Sequence, residues 1–251
     1  MHKERGGNVK IATWNLESVR PLTKGRKTAF CNAMKGVKAD VWVLTETWTD
    51  LEPLENYQLV AQSGKACDLK AERRWVSIWV HRDYSAEKLA VQSPKQQDRM
   101  AAAQITDKSG HGVVVVGTVL PWNSDRLWSG AKGYCDALAH QAIEWKRLRE
   151  LSDTGTFVVA GDFNQALPYQ RWYGSKKGAE ALQDALRNEN LHCLTQGDDP
   201  LRGEPRIDHI CISRSGLHPA VLQEPNTWEV PCIGGRPITD HSGVFLDLNV
   251  I

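Results

Sequence analysis

No stretch of the 251-residue sequence is apolar for the ~20 residues that a membrane span needs. The longest such run, Val113 to Leu120, is interrupted by Gly117 and Thr118. The amino terminus, MHKERGGNVK, is charged and glycine-rich with no apolar core, so no secretory signal is expected in the sequence as it stands. Charge of one sign is also missing. Lys and Arg number 31 against 30 Asp and Glu, for a net charge of +1, which excludes acidic tails and a whole-body positive field for nucleic acid but leaves room for a local basic patch. The six cysteines (Cys31, Cys67, Cys135, Cys193, Cys211, Cys232) form no C-x-x-C pair. They read as reduced buried thiols, which suits a cytoplasmic location better than a disulfide framework or a zinc site. There is no fixed-period repeat, low-complexity tract or Ser/Pro-rich linker.

What is present is an ordinary globular composition, 41% hydrophobic and 24% charged, with material for a substantial core. Short stretches rich in Val, Ile, Thr and Trp predict strands at Val9 to Trp14, Val41 to Thr45, Trp75 to His81, Ala101 to Thr106, Val113 to Leu120, Thr156 to Ala160, Ile207 to Ser213 and Val244 to Val250. Helices are predicted over Lys24 to Lys35, Tyr134 to Leu151 and Lys176 to Asn190, where apolar residues recur at helical spacing without interior proline. Three consecutive strands between residues 75 and 120 imply local antiparallel pairing. Together the elements predict an α/β sandwich, with sheets in the centre and helices outside, forming one domain over residues 9–251 behind a disordered or extended segment 1–8.

Polar and acidic residues recur where the strands end, which is where α/β architectures place their sites. Asn15 follows the first strand and Glu46 the second; Gly161-Asp162-Phe163-Asn164 closes the sixth; Asp208-His209 lies in the seventh; Thr239-Asp240-His241 precedes the last. Singly, each has a structural explanation as a turn or cap residue. Gathered together, Glu46, Asp162, Asp208 and Asp240 would repel one another unless a cation sat among them, and oxygen donors without thiolates point to Mg²⁺ or Mn²⁺. His209 should face away from Asp208 because strand side chains alternate, and is read as structural. The loop tryptophans Trp122, Trp128, Trp172 and Trp228 are expected mostly to pack, with one or two on a rim where a base could stack.

The segments Thr13-Trp14-Asn15-Leu16-Glu17, Leu44-Thr45-Glu46, Ala160-Gly161-Asp162-Phe163-Asn164, Arg206-Ile207-Asp208 and Ile238-Thr239-Asp240-His241 resemble, in order, the motifs of the endonuclease/exonuclease/phosphatase superfamily. The resemblance implies a four-layered α/β sandwich with two mainly antiparallel central sheets flanked by helices. It implies a metal set of Glu46, Asn15 and Asp240. Asp162 and Asn164 would then position and activate the attacking water, and His241, oriented by Asp208, would contact the phosphate or act as acid/base. Where the family usually ends a strand with His or Tyr, this chain has Val119, which can neither donate a hydrogen bond nor a proton. Candidate substrate contacts are Arg20, Trp122, Asn123, Arg171 and Trp172, with Lys176, Lys177, Arg126, Arg202 and Arg206 of lower rank. The implied activity is metal-dependent hydrolysis of nucleic-acid phosphodiesters by in-line water attack, with nucleic acid as the partner and a monomer as the favoured form. The alternatives are a phosphatase or phosphodiesterase for a small or lipid phosphate, and a family-shaped binding protein without turnover.

Overall fold

The computed structural model describes residues 7–17, 24–49, 51, 54–65, 72–122, 125, 133–151, 155–213, 224–228 and 230–250. In chain order the elements are β1 (Gly7–Asn15), α1 (Lys24–Val37), β2 (Val41–Trp48), β3 (Tyr57–Gln62), β4 (Arg73–His81), β5 (Ser85–Leu89), β6 (Met100–Thr106) and β7 (Gly112–Val119). There follow α2 (Tyr134–Glu150), β8 (Thr156–Asp162), α3 (Lys176–Asn188), β9 (Leu191–Cys193), β10 (Asp208–Ser213), β11 (Asn226–Thr227), β12 (Cys232–Ile233), β13 (Arg236–Pro237) and β14 (Val244–Val250).

Alternation of side chains assigns each strand two faces, and both are buried in the central strands. Val9, Ile11, Val41 and Val43 of β1 and β2 point into a seam with Ala101, Ala103, Val113 and Val115 of β6 and β7. Their neighbours Ala12, Trp14, Trp42 and Leu44 point the other way, onto Phe30, Met34 and Val37 of α1. Val114, Val116, Phe157 and Val159 likewise face Leu138, Trp145 and Leu182 of α2 and α3. The result is helix, sheet, sheet, helix, the expected four-layered arrangement. One sheet runs β11-β14-β1-β2-β4-β3 and the other β5-β6-β7-β8-β10-β9. Each contains one parallel pair, β1 with β2 and β7 with β8, and is otherwise antiparallel. The parallel strands read as near-continuous hydrophobic runs because a helix covers one face and the other sheet covers the second.

Gly117 sets how closely the sheets approach. A Cβ there would lie 2.4 Å from Val76 Cγ1 and 3.0 Å from Val43 Cγ1 across the seam. Beside the seam the fully buried Arg99 stacks 3.8 Å above Trp75 and holds Asp125 at 2.7 Å, a paired cation in an aromatic setting.

Three expectations need correction. The strand from Trp75 does not join the next two in one antiparallel run: β4 pairs with β2 and β3, whereas β6 and β7 pair with each other in the second sheet. The cysteines are not uniformly buried. Cys193 and Cys211 are, but Cys31 and Cys135 are half-buried and Cys232 is exposed, because it sits on the two-residue strand β12 outside both large sheets; Cys67 lies outside the described residues. The strands β3, β5 and β9 lie in segments where the sequence reading places neither strand nor helix. Among the described residues no helix is long and apolar enough to cross a membrane.

Candidate active site

The topology brings the two parallel pairs to the same edge of the sandwich. β1 ends at Asn15 and β8 at Asp162, while β10 begins with Asp208 directly opposite Asp162 in register. Glu46 sits within β2 between the pairs Thr45–Val76 and Thr47–Arg74, where the register is unbroken but its own backbone turns left-handed at φ 51°. This left-handed residue re-aims one side chain at a strain of about 1–3 kcal/mol. Asn164 is also left-handed, at φ 48°. The loop carrying His241 is stitched to the end of β1. Thr239 Oγ1 donates to the Asn15 carbonyl at 2.9 Å and accepts from the His241 amide at 3.2 Å, and Trp14 Nε1 donates to the His241 carbonyl at 3.0 Å.

These devices hold a connected polar network. Asn15 Nδ2 donates to Glu46 Oε1 at 3.1 Å and to Asp162 Oδ2 at 2.9 Å, so one buried amide bridges two carboxylates from different sheets. Its Oδ1 accepts from the Glu17 amide at 2.7 Å. Asn164 reaches Asp162 twice, through its backbone amide to Oδ1 at 2.8 Å and through Nδ2 to Oδ2 at 3.0 Å. Asn164 Nδ2 also donates to the Leu120 carbonyl at 2.9 Å, and its Oδ1 accepts from Tyr173 Oη at 2.9 Å. Asp208 Oδ2 lies 2.7 Å from His241 Nδ1, while the buried Asp208 Oδ1 has no hydrogen-bond partner among the described residues. Donor atoms of Asp162, Asp208 and His241 fall within 4.8 Å of one another. Asp240 sits at the rim, its side chain 67% exposed with Oδ1 3.6 Å from His241 Nε2. Arg73 approaches Glu46 Oε2 at 4.0 Å.

Burial and mutual charge reset the proton affinities. Burial, reinforced by the Asp208 charge, pushes Asp162 up to about 7. For His241 burial opposes the charged form, but the Asp208 charge and its hydrogen bond outweigh this and raise the imidazole to about 10. Burial and the Asp162 charge hold the Tyr173 hydroxyl up at about 12, so it remains a donor at neutral pH. A carboxylate poised near neutrality beside a protonated imidazole is a base next to an acid.

Of the expected substrate contacts, Trp172 is half exposed and Arg171 exposed, in the loop before α3. Trp172 lines a cavity of 360 Å³ that reaches Asp208 and His241 and is also bordered by Tyr173, Arg202 and Arg206. Trp122 instead packs 6.0 Å from Trp75 and beneath Arg99. Arg20, Asn123, Arg126 and Trp128 lie outside the described residues. His209 is buried and turned away from the cluster, against the Gln165 carbonyl at 2.9 Å and Thr195 Oγ1 at 3.3 Å. A larger cavity of 790 Å³ between α1 and β3 contains none of the network residues. Sequence reasoning missed Tyr173, which belongs to no motif; its only signal was a place beside Trp172 in a loop near the site.

The family model for the Endonuclease/Exonuclease/phosphatase family matches residues 12–241, a span that contains every member of this network. The chain belongs to that family. Its members are hydrolases acting on phosphoesters. The fold is similar to that of an AP endonuclease from Leishmania major (15% identity, 96% of this chain and 88% of that one, TM-score 0.71). It is also similar to the human Nocturnin catalytic domain with bound sulfate anion (13% identity, 97% and 95%, TM-score 0.66). A third likeness is to the 3′ phosphatase NExo from Neisseria bound to product DNA hairpin (19% identity, 96% and 99%, TM-score 0.63). No curated protein matches the chain by sequence.

Proposed function

We propose that the chain is a divalent-metal-dependent phosphodiesterase that hydrolyses nucleic acid by in-line attack of water. The observation that carries this reading is the buried meeting of Asp162, Asp208 and His241, with a raised carboxylate beside a raised imidazole and Glu46 tied in through Asn15. Structural neighbours named for action on DNA support nucleic acid as the substrate class.

The donor set fits a hard cation. It offers carboxylate and amide oxygens with one imidazole and no thiolate, and the orphaned Asp208 Oδ1 lies buried among them. Glu46, with Asn15 beside it and Asp240 at the rim, would hold Mg²⁺ or Mn²⁺, which supplies neutralisation of phosphoryl and leaving oxygens when bound. Asp162 retains a lone pair on Oδ1 after its amide contacts and takes the proton of the attacking water. Asn164, locked by Tyr173, keeps that carboxylate in place. His241, its Nδ1 fixed by Asp208, directs Nε2 to the phosphate and hands its proton to the leaving oxygen. The thiol state of the described cysteines suits a reducing cytoplasm.

The test is cleavage of single-stranded DNA, duplex DNA and RNA by the purified protein with Mg²⁺ or Mn²⁺, then with chelator, alongside Asp162→Ala, Glu46→Ala and His241→Ala. Metal-dependent cleavage that each substitution abolishes is the expected result; full activity in any variant would overturn its assigned role. The near-neutral net charge favours one second reading, a small or lipid phosphate as substrate. Failure to cleave any polymer moves the assignment there, and a flat salt dependence of KM would accompany it.

A further inference from the structure

Arg206 is 9% exposed, yet its guanidinium makes no hydrogen bond among the described residues and its Nε is buried without a partner. The nearest acidic groups act on it only at longer range and are engaged elsewhere. Asp199 Oδ1 accepts from the Leu201 amide at 2.9 Å and Asp198 Oδ1 from Gln170 Nε2 at 2.9 Å. A buried cation without a hydrogen-bonded counter-charge is costly. This one lines the 360 Å³ cavity that opens onto Asp208 and His241, whose wall also carries Arg202, held to the Asp240 carbonyl, the half-exposed indole of Trp172 and the carboxylates of Asp199, Glu204 and Asp240.

We propose that Arg206 forms the floor of a second anion subsite, next to the reaction centre, that binds a phosphate group of the substrate other than the one being cleaved. The planar guanidinium fork matches phosphate oxygens, and an arriving phosphate supplies the partners that the protein does not. Trp172 offers the connecting nucleoside a face on which to stack, and the cavity lies at the lower end of the ~300–1,000 Å³ range of ligand pockets, suited to a single nucleotide unit. The subsite rests on the phosphodiesterase reading for its biological use but not for its binding chemistry.

Calorimetric titration of the chelator-treated protein with thymidine 3′,5′-bisphosphate, thymidine 5′-phosphate and inorganic phosphate separates the two. The bisphosphate should bind at least about tenfold more tightly than the monophosphate, the scale of a charge-assisted contact. Arg206→Gln should erase that ratio and Arg206→Lys should keep part of it. Equal affinities of the wild-type protein for the two nucleotides would overturn the subsite, as would a ratio that survives Arg206→Gln. Inorganic phosphate binding as tightly as the bisphosphate would also overturn it, by assigning the cavity to the free ion. If Arg206→Gln does not fold, the wild-type ratio and Arg206→Lys decide. A retained ratio in a protein that cleaves no polymer would refute the nuclease reading and leave the subsite standing, whereas nuclease activity without the ratio would do the reverse.

Discussion

Replacing Gly161 with alanine tests whether backbone closeness between β7 and β8 positions the base. Gly161 lies at φ 141°, opposite Thr118 in the parallel ladder, and a Cβ built on it would stand 2.0 Å from the Thr118 carbonyl oxygen. Real contacts of this kind stay beyond 3.0 Å, so the strands would have to part by about 1 Å. Two costs combine: overpacking of roughly 1–3 kcal/mol and a left-handed backbone of similar size. For a chain of this length, where each kcal/mol moves Tm by about 2–4 °C, Tm should fall by roughly 5–20 °C. Asp162 is the next residue, and a displacement of that order should lower kcat by about 100-fold. Gly110→Ala is the control. Gly110 is at φ 86° with nothing within 4 Å of its would-be Cβ, so it isolates the backbone cost at about 1–2 kcal/mol with activity retained. Equal losses of stability in the two variants by thermal denaturation, with unchanged turnover in Gly161→Ala, would refute the steric argument.

In chelator, stability should fall as pH rises. His241 carries a folded-state value of about 10 against an ordinary 6.5, so the folded protein binds the extra proton and its stabilisation, full below 6.5, is lost on passing through about 10. Urea midpoints measured across that range should slope downward, and Asp208→Asn should flatten the slope; a wild-type midpoint that rises with pH would contradict the sign. Tyr173→Phe removes only the hydroxyl that fixes Asn164. It should lower kcat about tenfold with little change in KM, and an unchanged kcat in steady-state assays would remove Tyr173 from the site. Gly117→Ala drives a methyl into Val76 and should cost about 1–3 kcal/mol by denaturant titration.

The central strands were legible because burial on both faces writes them as Val- and Trp-rich runs, and the helix starts at Lys24, Tyr134 and Lys176 match the structure. α3 stops at Asn188, just short of the expected Asn190, which turns left-handed at φ 54° and closes the helix. The strands β5, with sequence SAEKL, and β9, with three residues, carry little β-propensity of their own; their pairing comes from the neighbours β6 and β10, a tertiary effect that no local window contains. Within the site the motif residues Asn15, Glu46, Asp162, Asn164, Asp208 and His241 do meet. Tyr173 was not legible as a site group, because its significance depends on what surrounds it and not on its spacing; Arg206 was legible only as one of several low-ranked cations, and its burial without a hydrogen-bond partner is what the fold adds.

The network divides between the two sheets: Asn15, Glu46 and His241 belong to the β1, β2 and β14 side, whereas Asp162, Asn164 and Asp208 come from β8, β10 and the loop after β8. Neither half of the sandwich holds both members of the proposed acid–base pair. Under the proposed mechanism turnover doubles as a strain gauge on the plane between the sheets. On that reading, slippage too small to expose core is read out first as lost chemistry, and a ligand that spans the two halves acts as a clasp on the whole sandwich.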